Sequence, residues 1–175
     1  VPPQRIRDEV GSDAFHGALI QTTSAQLHPG RFGVGLAEAA ARAGARIYEN
    51  AAVTGLDRLP KGWRVTMPKG QVSAGQVLVA TGGAPAAAPF GFFRRRIISV
   101  GSFIIATEPL GDALIEALLP HRRNYVTSKN IGNYFRLTTD NRLIFGGRAR
   151  FAISDPRSDL KSGHILEQVM GGIFP

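Results

Sequence analysis

The chain has 175 residues, enough to bury one sizeable core or two small units that share a core, and it contains no cysteine. The missing cysteines exclude a disulfide framework, a thiolate metal site and a cysteine nucleophile. The 21 basic residues outnumber the 13 acidic ones, which suits an anionic cofactor or partner, but no zinc-finger or RNA-binding signature accompanies the charge and nucleic acid is not favoured.

The first half of the chain predicts an α/β unit with one helix and a small antiparallel meander. Apolar residues recur at helical spacing from Phe32 to Ala43, and Gly44 then ends the helix. The tripeptide Pro-Lys-Gly occurs twice and delimits the meander. The predicted elements are one or two short strands over 17–31, a helix over 31–44, strands at 45–49 and 51–57, turns at 60–62 and 68–70, and a strand at 77–80.

The apolar run VLVA (77–80) is followed directly by Thr81, Gly82 and Gly83. Such a run is typical of a central strand that is buried on both faces. Open α/β sheets receive ligands at the carboxyl ends of these strands, and glycine lets a cofactor lie against the bare backbone. The turn therefore either contacts a cofactor or is an ordinary strand-to-loop turn, and the order of the preceding elements favours the cofactor.

The segment GRFGVG (30–35) looks like a dinucleotide-binding loop at the start of a helix. The fingerprint G-x-G-x-x-G requires a third glycine, but Glu38 occupies that position after Gly33 and Gly35. A glutamate would also sit poorly against a pyrophosphate. The main phosphate-binding loop of a dinucleotide site is therefore not found in this sequence.

The second half of the chain predicts a mainly antiparallel sheet with two helices. In the hairpin strand that begins at Tyr134, this tyrosine and Arg136 share one face, whereas the apolar residues between and after them share the other. Asp112 is placed to cap the shorter helix. The histidine spacing fits neither a metal site nor a catalytic triad. The predicted elements are strands at 97–100 and 103–106, a helix at 112–120, a hairpin at 133–147 with its turn at 139–142, and a helix over 160–175.

Four segments, in this order, resemble the D-amino-acid-oxidase-like family of FAD-dependent oxidoreductases. They are LHPGRFGVGLAEAAARAGARIYENAAVTGL, VLVATGG, SFIIATEPLG and NYFRLTTDNRLIFGG. The resemblance covers roughly residues 17–147. It is strongest to those members of the family that oxidise amines. It implies an enzyme with an FAD-binding α/β domain and a substrate domain built on a mainly antiparallel sheet.

The resemblance also implies that the chain alternates between the two domains. Residues 31–83 would belong to the FAD-binding domain, 1–30 and 84–160 to the substrate domain, and 161–175 would begin a helix that returns toward the FAD-binding domain. The fold class is then α/β plus α+β, a partial FAD-binding α/β unit with a small meander joined to the substrate-domain sheet. Family members are longer and begin with the glycine-rich fingerprint, so we expect an internal fragment.

Four positions match cofactor contacts of the family. Val53 matches the position whose backbone faces the adenine of FAD, although a core valine would look the same. Thr81, Gly82 and Gly83 match the second cofactor motif, in which the strand end lies against the dinucleotide. No role is carried over to residues 84–93, because they depart from the family pattern.

On the substrate side, Tyr134 and Arg136 match a strand that often faces the cavity above the flavin. The tyrosine would close the pocket, and the arginine would bind a substrate carboxylate through two hydrogen bonds. The alternative is a half-buried sheet tyrosine beside a solvated arginine. No catalytic residue is identified, which agrees with a reaction in which the flavin carries the chemistry.

The resemblance therefore predicts an FAD-dependent oxidoreductase that acts on the C–N bond of a small amine or amino acid. Without the fingerprint, we expect the isolated chain to be inactive and to bind FAD weakly or not at all. Two alternatives remain open. One is a stand-alone basic module that binds an anionic partner through the arginine-rich region 94–150, and the other is a piece of an NAD(P)-linked reductase.

The cellular location and the self-association of the protein are predicted from its N-terminal residues, its composition and its apolar segments. The first ten residues lack the pattern of a signal peptide, and glycines and prolines after residue 81 would break a membrane-spanning helix in the uncharged stretch 70–93. The absence of cysteine fits a reducing compartment. We therefore expect a cytoplasmic protein without a membrane span, and self-association through a sheet that is exposed along VLVA.

Overall fold

The structure is a computed structural model that describes residues 1–82, 91–93, 96–97, 100–150 and 156–174. After a short 3-10 helix at Pro3–Asp8, its elements are α1 (Pro29–Arg42), β1 (Gly55–Arg58), β2 (Trp63–Met67), β3 (Gly70–Ala74), β4 (Gly101–Pro109), α2 (Asp112–Leu118), β5 (Tyr125–Val126), β6 (Tyr134–Leu137), β7 (Arg142–Arg150) and α3 (Pro156–Gly171). They form two compact units: unit 1 comprises Val1–Gln26 and Val100–Pro175, and unit 2 comprises Leu27–Ser99. Within the described ranges, no helix is long and apolar enough to cross a membrane.

Unit 2 contains the predicted helix and the predicted meander. The ring nitrogen Nδ1 of His28 accepts a hydrogen bond from the backbone amide of Arg31 at 3.2 Å and so caps the start of α1. Gly44 has φ +95°, a conformation that favours glycine, just beyond the end of the helix. Strands β1, β2 and β3 pair antiparallel in sequence order through short turns. The predictions of this helix and of the meander are therefore confirmed.

The strands predicted at 17–31, 45–49 and 77–80 are wrong, because none of these segments forms a strand. Leu78, expected in a buried strand, is 89% exposed. A parallel strand takes its hydrogen bonds and its cover from neighbouring strands, and none of the described residues supplies such a neighbour here. For the same reason α1 buries none of its residues, and no described residue of unit 2 is fully buried.

Unit 1 is built on a four-stranded antiparallel sheet with the order β4-β7-β6-β5. The predicted hairpin is confirmed: β6 pairs with β7, and Thr138 and Arg142 close the turn through a backbone hydrogen bond of 2.9 Å. Strand β4 pairs with the other side of β7 and extends from 101 to 109, which includes the strand predicted at 103–106. No strand is assigned at residues 97 and 100, and 98–99 lie outside the described residues.

The core of unit 1 lies on one face of this sheet and is centred on stacked aromatic rings. Phe135 stacks on Tyr125 with a centroid distance of 5.1 Å and on Phe145 with a centroid distance of 5.8 Å. Phe145 has no exposed surface. The other buried apolar residues are Ile6, Val10, Ile115, Leu119, Leu137, Leu143, Leu166 and Ile173. The core therefore joins the N-terminal segment, α2 and α3 to the sheet.

Two details of the helices in unit 1 differ from the sequence prediction. Gly111, not Asp112, is the N-cap of α2, and Asp112 is the first helical residue. Its carboxylate instead accepts a hydrogen bond of 3.3 Å from the side chain of Asn141. Helix α3 begins at Pro156, earlier than predicted, and packs against β4 and β7 within unit 1. Its return toward the FAD-binding domain stays a prediction.

The N-terminal segment is held to the sheet by polar contacts of Glu9. The Arg123 guanidinium donates to the Glu9 carboxylate at 3.0 Å, and the Tyr125 hydroxyl donates to the Glu9 backbone carbonyl at 2.8 Å. Burial raises the pKa of Tyr125, and the negative charge of Glu9 adds to this effect. These contacts bring residues that are more than a hundred positions apart in the chain into one packed unit.

We expect Phe145→Ala to lower the free energy of unfolding by about 3–5 kcal/mol, because the side chain is fully buried and its loss leaves a cavity. Val126→Ala is the matched control, since Val126 lies in the same sheet but is 76% exposed, and roughly 0.5 kcal/mol or less is expected. Urea unfolding measures both. Equal losses in the two variants would contradict this description of the core.

The raised pKa of Tyr125 predicts a specific loss of stability at high pH. The folded state keeps the phenol proton at a pH where the unfolded chain releases it, so this contribution is complete below about pH 10 and is lost as the pH rises through the folded pKa. Tyr125→Phe should lose about 1 kcal/mol at pH 7 through the missing hydrogen bond to Glu9 and should then fall less steeply above pH 10. Urea midpoints measured at neutral and alkaline pH test this, with the exposed Tyr48→Phe as the control.

Candidate functional site

The face of the unit 1 sheet that points away from the core carries both substrate-pocket candidates. We call it the outer face. Because side chains alternate along a strand, burial of Phe135 on the core face places Tyr134 and Arg136 on the outer face. Their neighbours across the sheet on this face are Ser102, Ile104, Ala106, Val126, Ile144 and Gly146. The prediction that the tyrosine and the arginine share a face is thus confirmed, whereas their role stays a prediction.

Tyr134 lies flat across the neighbouring strand. It pairs with Gly146 of β7, and a Cβ atom placed on this glycine would come within 2.1 Å of the tyrosine ring. The phenol oxygen reaches Ser102 on β4, where the two hydroxyl oxygens are 2.9 Å apart. The ring therefore crosses β7, and its hydroxyl is fixed on the far side.

Arg136 lies two residues further along β6, about 7 Å from Tyr134 along the strand. It is half-buried and pairs with Ile144, which in turn pairs with Ala106 of β4. Ile104 and Val126 are 59% and 76% exposed on the same face. The outer face therefore combines a guanidinium, a fixed phenol and aliphatic surface, which suits a small ligand that carries a carboxylate and an alkyl chain.

The predicted cofactor positions that the structure describes all lie in unit 2. Val53 is half-buried and directly precedes Thr54, whose amide donates to the carbonyl of Thr66 at 2.8 Å at the entrance to β1. Thr81 and Gly82 are exposed at the end of the VLVA segment, and Gly83 lies outside the described residues. Tyr134 and Arg136 lie together in unit 1, whereas the described cofactor positions belong to unit 2.

Thr81 and Gly82 fit a dinucleotide that lies against the backbone. Gly82 has φ +67°, a conformation that side-chain-bearing residues rarely adopt, and a Cβ placed on it would meet no atom within 4 Å. The space beside the backbone is therefore open, and the Thr81 hydroxyl is available beside it as a hydrogen-bonding group. The residues present thus suit the contact with FAD that the sequence predicts.

A separate groove of about 730 Å³ lies between β4 and α3. Its lining is mostly apolar and includes Ile105, Leu160 and Met170, while His164 and Glu167 approach to 3.5 Å at the rim. It contains none of the predicted site residues. Despite its size we do not choose it as the candidate site, because Tyr134 and Arg136 lie on the outer face. Among the described residues, no cluster of His, Asp and Glu side chains could hold a metal ion.

Sequence reasoning missed two residues of the outer face, Ser102 and Gly146. The pairing of Tyr134 with Gly146 depends on the register of the hairpin, and the predicted turn at 139–142 would place Gly147 opposite the tyrosine instead. Ser102 could not be found from the sequence, because nothing in the sequence shows that β4 lies beside β7.

Comparisons with known proteins bear on the family of the chain. The profile of the family described as DAO, FAD dependent oxidoreductase, matches residues 1–175. Probable oxidoreductase OrdL of Haemophilus influenzae is 30% identical over 174 residues, which are 98% of this chain and 39% of the relative. Gamma-glutamylputrescine oxidoreductase of Escherichia coli is 34% identical over 151 residues, which are 86% of this chain and 35% of the relative. No solved structure matches the chain.

The chain spans little more than a third of the length of these curated relatives. The family profile nevertheless covers the whole chain, and the resemblance carried by the four sequence segments is confirmed. The family's dependence on FAD implies that FAD is the cofactor of the protein to which this chain belongs. The mixed α/β architecture with two antiparallel sheets is consistent with a part of such a protein. The chain therefore belongs to the DAO family of FAD-dependent oxidoreductases.

Proposed function

We propose that the protein that carries this chain oxidises a small amine or amino acid at a C–N bond, with FAD as the electron acceptor. The observation that carries the proposal is the pair formed by Tyr134 and Arg136 on the outer face, next to aliphatic side chains. The relative from Escherichia coli is named for oxidation of gamma-glutamylputrescine, an amine, and this supports the same substrate class and a role in putrescine utilisation.

In this proposal the outer face of unit 1 binds and orients the substrate. Arg136 binds a carboxylate of the substrate through a forked pair of hydrogen bonds, and Ile104 and Ile144 contact its alkyl chain. The Tyr134 hydroxyl, held by Ser102, keeps one hydrogen-bonding position for the substrate. The aliphatic side chains exclude water from the reacting end.

The proposal assigns the cofactor to unit 2 and the substrate to unit 1, as the family resemblance implies. Val53, Thr81 and Gly82 would hold FAD through their backbone, and Gly83 stays a further candidate from the sequence. Bound FAD supplies an acceptor for the hydride on the carbon next to the amine, and the resulting imine hydrolyses in water. The residues of this chain bind, orient and shield, and none of them is required as an acid or a base.

Two other functions have less support. For a basic module that binds an anionic partner, Arg123 and Arg142 of the arginine-rich region are already paired with Glu9 and Asp140, at 3.0 and 2.9 Å. An NAD(P)-linked reductase would not be expected to match an FAD-dependent family over its whole length. A cytoplasmic location stays a prediction from the sequence.

Substrate preference tests the role of Arg136. In the intact FAD-loaded protein, Arg136→Met should raise KM for an amine that carries a carboxylate, such as 4-aminobutyrate, by about 10- to 100-fold, because a hydrogen-bonded ion pair is lost. KM for butylamine, which has no carboxylate, should change less than about threefold, since there is no ion pair to lose. Steady-state rates of amine-dependent reduction of an artificial electron acceptor, which reoxidises the flavin, measure both KM values.

Arg64→Met is the control for that experiment, because Arg64 is an exposed strand arginine in unit 2. It should leave both KM values unchanged. If Arg136→Met raised KM for both amines by the same factor, a contact between Arg136 and the substrate carboxylate would be excluded. If no amine or amino acid in a broad panel reduced the wild-type flavin, the proposed function would be wrong.

Retention of FAD tests the role of Gly82. Gly82→Val should weaken FAD binding by about tenfold or more, because a β-branched side chain fills the open side of the backbone and resists a positive φ. Gly75→Val is the control, since it has open space but no positive φ. The flavin-to-protein absorbance ratio after purification measures the effect, and full occupancy in Gly82→Val would contradict the assignment.

Residues 1–175 alone should retain little or no FAD.

A further inference from the structure

Three neighbouring strands each contribute one residue to the position of the Tyr134 hydroxyl. Strand β6 supplies the tyrosine, β7 supplies Gly146 beneath its ring, and β4 supplies Ser102 at its hydroxyl. Neighbouring strands lie about 4.8 Å apart, so a tyrosine side chain that reaches from β6 to β4 must cross β7 close to its backbone. The arrangement is therefore specific to this combination of residues.

At position 146, glycine is the only residue type that leaves room for the tyrosine ring to cross β7. A Cβ at this position would lie 2.1 Å from Cε2, 2.3 Å from Cζ and 2.7 Å from the hydroxyl oxygen of Tyr134. All three separations are below the contact distance of real Cβ atoms. Alanine would therefore force the whole ring to rise from the sheet, toward the space in which the proposed substrate lies.

Ser102 fixes the orientation of the Tyr134 hydroxyl. An aromatic hydroxyl can donate one hydrogen bond and accept others, and the contact with Ser102 at 2.9 Å uses one of these capacities. The remaining capacity then points in a defined direction from the sheet. Arg136, two residues away on the same strand, is fixed relative to this hydroxyl by the backbone of β6.

We propose that Ser102 and Gly146 are positioning residues that set the orientation of the Tyr134 hydroxyl for substrate binding on the outer face. This inference rests on the proposed function. It adds that the ring height set by Gly146 limits the thickness of the ligand, and that Ser102 acts through Tyr134 without touching the substrate. The ligand class is an amine that carries a carboxylate, with Arg136 and the tyrosine hydroxyl as its two polar contacts.

The experiment uses the intact FAD-loaded protein and two readouts. The first is 19F NMR of protein labelled with 3-fluorotyrosine, in which the resonance that is missing in Tyr134→Phe belongs to Tyr134. Ser102→Ala and Gly146→Ala should shift this resonance, whereas Ser102→Thr, which keeps a hydroxyl, should restore it. Gly171→Ala is the control in unit 1, because a Cβ there meets no atom within 4 Å.

The second readout is steady-state kinetics with the amine that reduces the wild-type flavin best. Gly146→Ala should lower kcat/KM by about 10- to 100-fold, as expected for a displacement of about 1 Å. Ser102→Ala should raise KM by about threefold to tenfold with kcat nearly unchanged, the size of one neutral hydrogen bond. Ser102→Ala added to Tyr134→Phe should have no further effect, because the serine acts only through the phenol.

The outcomes separate this inference from the proposed function. If the wild type turns over amines but Ser102→Ala and Gly146→Ala leave the Tyr134 resonance and KM unchanged, the positioning role is wrong and the proposed function stands. A shifted resonance with unchanged KM would likewise overturn the role, since Tyr134 would then only cover the sheet. If the wild-type flavin is reduced by no amine, both proposals fail.

Discussion

The packing of Phe135 against Phe145 and Tyr125 controls the rest of unit 1. This stack of rings joins three adjacent strands and forms the centre of the buried core. Side chains of a strand alternate between its faces, so burial of Phe135 forces Tyr134 and Arg136 to the opposite face. A register slip of one residue would bury the arginine and expose the phenylalanine, at a large cost in free energy. The interaction that stabilises the unit therefore also decides where the candidate site lies.

Sequence reasoning succeeded for elements that are completed by nearby residues and failed for those that need distant partners. The meander of unit 2 and the hairpin β6–β7 close through short turns near the predicted positions. The run VLVA is as apolar as a central strand, but Leu78 stays exposed because no described strand lies beside it. An apolar pattern predicts that a segment can form a buried strand if other strands lie beside it. Only the structure shows whether those strands are present.

The candidate site was predictable to the same extent. The shared face of Tyr134 and Arg136 follows from the two-residue period of one strand. The residue opposite Tyr134 depends on the exact register of the hairpin, and the predicted turn is one residue away from the pairing with Gly146. Ser102 belongs to β4, which joins β7 after the chain has passed through α2, β5 and β6. No local sequence pattern predicts this pairing of distant segments. The part of the site that depends on it, the anchoring of the tyrosine hydroxyl, therefore required coordinates.

The two halves of the proposed function differ in how firmly this chain fixes them. On the substrate side, Ser102, Gly146 and Tyr134 lie on three hydrogen-bonded strands, so backbone pairing sets their relative positions before any ligand arrives. On the cofactor side, Thr81 and Gly82 lie in a segment that no described strand pairs with, and their turn is exposed. Hence the proposed substrate contacts are set by the pairing of the folded sheet, whereas the proposed FAD contacts lie outside any described sheet.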